Sequence, residues 1–120
     1  MPNFVRADAC FLPFRDGSVR KAVSSHVIEH LADPVGFLRE LLRVAAGKIE
    51  VRCPNGESLS CRDELRPLHL WDFGRDWFLK QLQAFPGWDF LVRWDYSQSE
   101  PWVLVVEGFR VSVEELLRGE

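Results

Sequence analysis

The chain has no apolar run approaching the ~20 residues that a membrane-spanning helix needs, which excludes a helical span. It has no excess of basic charge either: 15 Lys and Arg stand against 18 Asp and Glu, a formal charge of -3 at pH 7. Binding to the backbone of a nucleic acid requires a basic stripe, so that class of partner is disfavoured. Cysteine is scarce and odd in number, at positions 10, 53 and 61, with no C-x-x-C pair. A disulfide framework is thereby excluded, and a reducing compartment is expected. The opening MPNFVRADAC lacks a basic region followed by an apolar stretch, so it does not read as a signal peptide and a cytoplasmic location is expected. Glycine never clusters: the eight lie at 17, 36, 47, 56, 74, 87, 108 and 119, and none forms a G-x-G turn. There is no repeat and no low-complexity linker, so residues 1–120 read as one domain.

What is present is an ordinary soluble composition, 47% hydrophobic and 28% charged, with five Trp and nine Phe against one Tyr. Large flat side chains are therefore expected to dominate the packing. Asn3 to Arg6 reads as a short extended start, followed by a turn placed by Pro13 and Asp16-Gly17. Val19 to Ser24 is a strand candidate carrying Arg20 and Lys21. His26 to Leu31 reads as one or two helical turns. Asp33 and Pro34 then make a start signal for a helix to about Ala46, with Val35, Leu38, Leu41, Leu42 and Ala45 as its apolar stripe. Arg39, Glu40 and Arg43 are expected to face outward, and Gly47 to cap the end.

Lys48 to Cys53 alternates polar and apolar residues, the pattern of a strand. Pro54-Asn55-Gly56 stops it, and the connection that follows is long for a structural linker, which suggests a lid or a substrate-side loop. Asp76 to Ala84 reads as the second helix, burying Trp77, Phe78, Leu79 and Leu82. Trp88 to Tyr96 and Trp102 to Val111 read as two strands paired antiparallel across SQSEP. Ser112 to Glu115 has the form of a capping box before a short terminal helix. Alternating strands and helices followed by a hairpin imply an α/β sheet, parallel in its first part with an antiparallel edge.

Arg6 to Asn55 reads RADACFLPFRDGSVRKAVSSHVIEHLADPVGFLRELLRVAAGKIEVRCPN. The acidic-Ala pair, LPF, the DGS turn, a strand ending in Ser-His, VIEHL, Asp-Pro, a helix ending in Arg-Val, and a strand ending in Pro-Asn follow in order. This series resembles the type 11 branch of the class I S-adenosylmethionine-dependent methyltransferases, and the later LHLWDF and closing hairpin fit the same family. The resemblance implies a truncated Rossmann-like methyltransferase sheet: parallel strands plus an antiparallel C-terminal hairpin, with helices packed on the sheet.

The resemblance also implies roles for particular residues. Asp8 would reach the adenine amino group of S-adenosylmethionine, and Ala9 would lie beside the ring. Ser25 and His26, at the end of the next strand, would support the methionine part, and His69 would turn toward the substrate side. The family's glycine turn and its ribose-binding carboxylate belong before Arg6, where this chain has only five residues. The scattered glycines exclude a circular permutation as well. The expectation is a chain that binds no cofactor alone and would hold S-adenosylmethionine only with the missing half supplied. Charged Arg20 and Lys21 in a strand that the family keeps apolar suggest an exposed edge. A homodimer or a partner protein covering that edge is the expected association.

Three functions from different classes follow: a degenerate methyltransferase-like binding or assembly module, favoured; one half of a split methyltransferase; and a metal-dependent hydrolase built on HVIEH. The last rests on His26 and His30 four apart with Glu29 between them. Against it, Glu29 and His30 can simply bond locally and tie down the helix. Cys53, Cys61 and His69 form no metal-ligand spacing, and Cys10 and Cys53 read as small core residues. The Trp set at 71, 77, 88, 94 and 102 could form a binding platform but reads as core at strand and helix positions, and Asp8 can alternatively bond to the amides of its own turn.

Overall fold

Asp33 opens the first helix as its side chain predicts: Oδ1 accepts the Gly36 N–H at 2.9 Å, and Pro34 takes the first helical position. The computed structural model describes residues 4–56, 71, 73–95 and 103–111. Within them lie β1 (Val19–Ser25), a single 3-10 turn (Ile28–His30), α1 (Pro34–Val44), β2 (Ala45–Pro54), α2 (Arg75–Leu82), β3 (Trp88–Asp95) and β4 (Val103–Arg110). The expected capping box at 112–115, the hairpin turn and most of the 57–74 connection lie outside the described residues. Among the described residues, no helix is long and apolar enough to cross a membrane.

Helix α1 stops earlier than its sequence suggests. Ala45 is already extended, so α1 runs into β2 without a linker, and Gly47 lies inside the strand. The terminal carbonyls are satisfied from across the fold: Arg110 Nη2 donates to Leu42 O at 3.0 Å and Ala45 O at 2.9 Å. A guanidinium at a helix C-terminus meets both the unpaired carbonyls and the negative end of the dipole, so no glycine cap is needed. The apolar stripe also shifts, with Phe37 buried and Val35 only half-buried.

The sheet order is β1-β2-β4-β3, with β1 parallel to β2 and β4 antiparallel to both its neighbours. The α/β class and the paired final strands agree with the sequence reading, but β4 inserts inside the sheet and β3 forms the edge. Gly108 makes the insertion possible: a Cβ there would meet Phe90 Cε1 at 2.8 Å and Ile49 Cγ1 at 2.9 Å. Only a residue without a side chain lets these two strands close on β4 at that level.

Both helices pack on one face. Phe37, Leu38 and Leu41 of α1 and Phe78 and Leu82 of α2 share a core with Ile49, Val51, Cys53, Leu104, Val106, Trp88 and Val92. The alternate residues form a charged ladder on the opposite face. Arg93 Nε lies 2.9 Å from Glu107 Oε1, Lys48 Nζ 3.6 Å from Glu107 Oε2, and Arg52 3.2 Å from both Glu50 and Asp95. Glu50 and Glu107 stand directly opposite in the register, a repulsive pairing that these flanking cations offset. The hydrogen bond from Arg93 is the main reason Glu107 is held below the ordinary carboxylate range, against the opposing effect of burial. Val105, between Arg52 and Arg93 in register, has 0% exposure, as expected where long arginine stems lie over a small apolar residue. At the other edge no described strand pairs with the outer side of β1, where Arg20, Lys21 and Val23 are exposed.

Candidate functional site

In an open α/β sheet the carboxyl ends of parallel strands are where ligands gather. Here those are the ends of β1 and β2. Ser25 closes β1, and His26 follows with φ +58°, a left-handed conformation that is uncommon for a residue with a Cβ. The conformation is held because the His26 N–H donates to Arg52 O at 2.8 Å, one step past the last β1–β2 pair. Strain of this kind concentrates at functional positions when the surroundings fix it.

Immediately after, Glu29 is swallowed by the fold at 1% exposure. Its Oε2 lies 3.7 Å from His26 Nδ1 and 3.6 Å from His30 Nε2, and its Oε1 has no hydrogen-bond partner. Glu29 thus sits between two half-exposed histidines. This arrangement gives no support to the metal-hydrolase reading, and no side-chain hydrogen bond caps the turn. Among the described residues, no three His, Cys, Asp or Glu side chains come together as a metal ion requires.

Asp8 and Ala9 begin a turn that is pinned to α1. Asp8 Oδ1 accepts the Cys10 N–H at 2.9 Å, and Asp8 O accepts the Phe11 N–H at 3.0 Å. Cys10 Sγ reaches Asp33 O at 3.5 Å, which sets the turn beside the start of α1 and hence at the Ser25–His26 end of the sheet. Burial, followed by the Asp33, Asp8 and Glu40 carboxylates, pushes the Cys10 thiol up, so it is a poor nucleophile. Further down, Glu40 Oε1 accepts the Leu12 N–H at 2.8 Å, while Arg43 donates to Leu12 O at 3.0 Å and Phe14 O at 2.8 Å. Glu40 and Arg43, expected to face outward, are half-buried clamps on this loop, and of the three only Arg39 is exposed.

The structure therefore brings Asp8–Ala9 and Ser25–His26 to one end of the sheet, although no hydrogen bond joins the pairs among the described residues. His69 lies outside the described residues. Trp71, read from sequence as core, is exposed and part of an aromatic cluster: its Nε1 donates to Leu31 O at 2.7 Å and its ring stacks on Phe73, whose ring lies 4.4 Å from that of Trp77. Sequence reading missed Asn55, 2% exposed at the end of β2. The Pro-Asn after a strand was the available signal for that position.

A parallel pair, α1 leading straight into β2, and an antiparallel strand inserted inside the sheet make a mixed, Rossmann-like α/β fold. The comparisons with known proteins give what the chain is similar to. Residues 1–48 match the methyltransferase domain family model. A curated methyltransferase from Mycolicibacterium gilvum is 52% identical over 42 residues, 35% of this chain and 16% of that protein. In the solved structures, a chain of the Haloferax volcanii complex of the Trm112 methyltransferase activator with a methyltransferase superposes with a TM-score of 0.67. It is 16% identical, over 88% of this chain and 60% of that one. The [4+2]-cyclase SpnF superposes with a TM-score of 0.68 at 15% identity, over 90% of this chain and 55% of that one. The first 48 residues are thus similar in sequence to the methyltransferase domain family, and the fold of the described residues is similar to that of these solved structures. The chain spans 16% of that curated relative and 60% and 55% of the two solved chains.

Proposed function

We propose that this chain is a methyltransferase-like binding or assembly module that supplies one wall of an S-adenosylmethionine site and does not transfer methyl groups alone. The carrying observation is the state of its backbone amides at the carboxyl ends of β1 and β2. The N–H groups of Cys10, Phe11, His26 and Gly56 already donate to Asp8 Oδ1, Asp8 O, Arg52 O and Phe73 O. A cofactor cradle needs such groups free, and a glycine turn to present them. What remains fits the adenine side: the exposed Asp8 carboxylate has a second oxygen free to accept an amino N–H, with Ala9 beside it. Ser25 and His26, at the end of β1, would support the methionine end. In related methyltransferases the cofactor supplies an activated methyl group, and this chain would contribute alignment to that reaction.

Calorimetric titration with S-adenosylhomocysteine to millimolar concentration tests this. The expected result is no heat from the chain alone; saturable binding would overturn the reading. A second reading, one half of a split enzyme, is favoured by the unpaired outer edge of β1, which offers a parallel strand position to a partner. Adding the separately produced glycine-rich half of a relative should then restore binding. A homodimer is the competing way to cover this edge, and sedimentation equilibrium at micromolar concentration distinguishes it by mass.

A further inference from the structure

A cleft lies at the opposite end of the sheet from the cofactor-side residues. It is a groove of about 480 Å³ where the end of α1 meets the starts of β1 and β3. Leu42, Phe85 and Trp88 give it an apolar floor; Arg39, Arg43 and Arg110 surround it, with Asp16 as the single acid in the lining. A concave, mostly apolar site of this size with a few convergent charges is the usual form of a small-ligand site.

The three arginines are not equivalent. Arg43 is committed to Asp16, Glu40, Phe14 O and Leu12 O. Arg110 lies 4.7 Å over the Trp88 ring, with Nη2 committed to the two α1 carbonyls. Arg110 is itself an exposed residue. Arg39 is exposed and makes no hydrogen bond or ion pair with any described residue. A flat guanidinium face stacks well on another ring, and a free guanidinium fork pairs with a carboxylate.

We propose that this groove binds a small aromatic carboxylate, its ring extending the Trp88–Arg110 stack over Phe85 and Leu42 and its carboxylate paired to Arg39. The site is independent of the methyltransferase reading, because it uses none of Asp8, Ala9, Ser25 or His26. The lining net charge is positive on a chain whose total is -3, so the attraction is local to the groove.

The test is an NMR titration of the full chain with naphthalene-2-carboxylate, the neutral naphthalene-2-methanol and acetate, run on the native chain and on Arg39→Gln. The expected result is saturable shifts at Gly17, Leu42 and Phe85–Trp88 with the carboxylate. Binding should be at least tenfold weaker for the neutral analogue and for acetate, and Arg39→Gln should remove the preference for charge. Because Arg39 is exposed and unbonded, its replacement leaves the fold intact, which the unchanged β2 and β4 resonances verify. No shift at those residues up to millimolar ligand would overturn the proposal. So would equal binding by Arg39→Gln, or shifts centred on Trp71 and His26 instead.

Discussion

The two faces of the sheet follow different rules. On one, Ile49, Val51, Cys53, Leu104 and Val106 are sealed beneath two helices. On the other, the same strands present Lys48, Glu50, Arg52, Glu107, Arg93 and Asp95 as a self-satisfied ladder. A parallel strand covered on both sides reads as continuously apolar, whereas β2 alternates strictly. The contrast teaches that β2, although paired in parallel with β1, is built to leave one side facing water. Stability should therefore be distributed very unequally between the faces.

The largest effect is expected from Phe78→Ala on the helix-covered face, about 3–5 kcal/mol of lost stability by urea unfolding. Lys48→Ala on the open face should cost less than about 1 kcal/mol. Similar losses at the two positions would break the comparison. Gly108→Val tests the narrowest point of the covered face, where overpacking against Phe90 and Ile49 should cost about 1–3 kcal/mol. Arg110→Ala removes the α1 cap and the Trp88 stack together, for about 1–2 kcal/mol. Its signature is faster amide exchange near Val44, with β1 unaffected.

The smallest effect concerns acid. Glu107 has its folded-state pKa depressed, chiefly by the Arg93 hydrogen bond. Its contribution is therefore fully present above the unfolded value, near pH ~4.3, and is lost as the pH falls through the lower folded value. The gap in urea midpoint between the native chain and Glu107→Gln should narrow below about pH 4.3. A gap that stays constant down to about pH 3, past the ordinary carboxylate range, would show that the open-face ladder contributes nothing.

Much of this contrast was legible in the sequence. KIEVRC declared an amphipathic strand, and Asp33-Pro34 declared a helix start, because both signals are local. The chain of landmarks from Asp8 to Asn55 singled out the candidate residues for the same reason. What escaped depended on distant partners. Gly47 looked like a cap until Arg110, 65 residues from Ala45, supplied the donors. Glu40 and Arg43 had the spacing of a solvated helix face, yet a loop some 30 residues earlier needed their hydrogen bonds. The insertion of β4 rested on close packing at one glycine, which no periodicity reveals. Trp71 donates to Leu31 O across a long connection, so that contact could not be read from spacing.

The direct passage of α1 into β2 has a consequence for how this chain can vary. Without intervening loop residues, there is no slack to absorb a change in length at Ala45–Ala46. One residue added or removed there rotates the strand by half its period. Lys48, Glu50 and Arg52 would then point at the helices, and Ile49 and Val51 at water. Substitutions at this junction can be absorbed one at a time. Insertions and deletions cannot, so the junction should be among the most length-invariant places in the molecule.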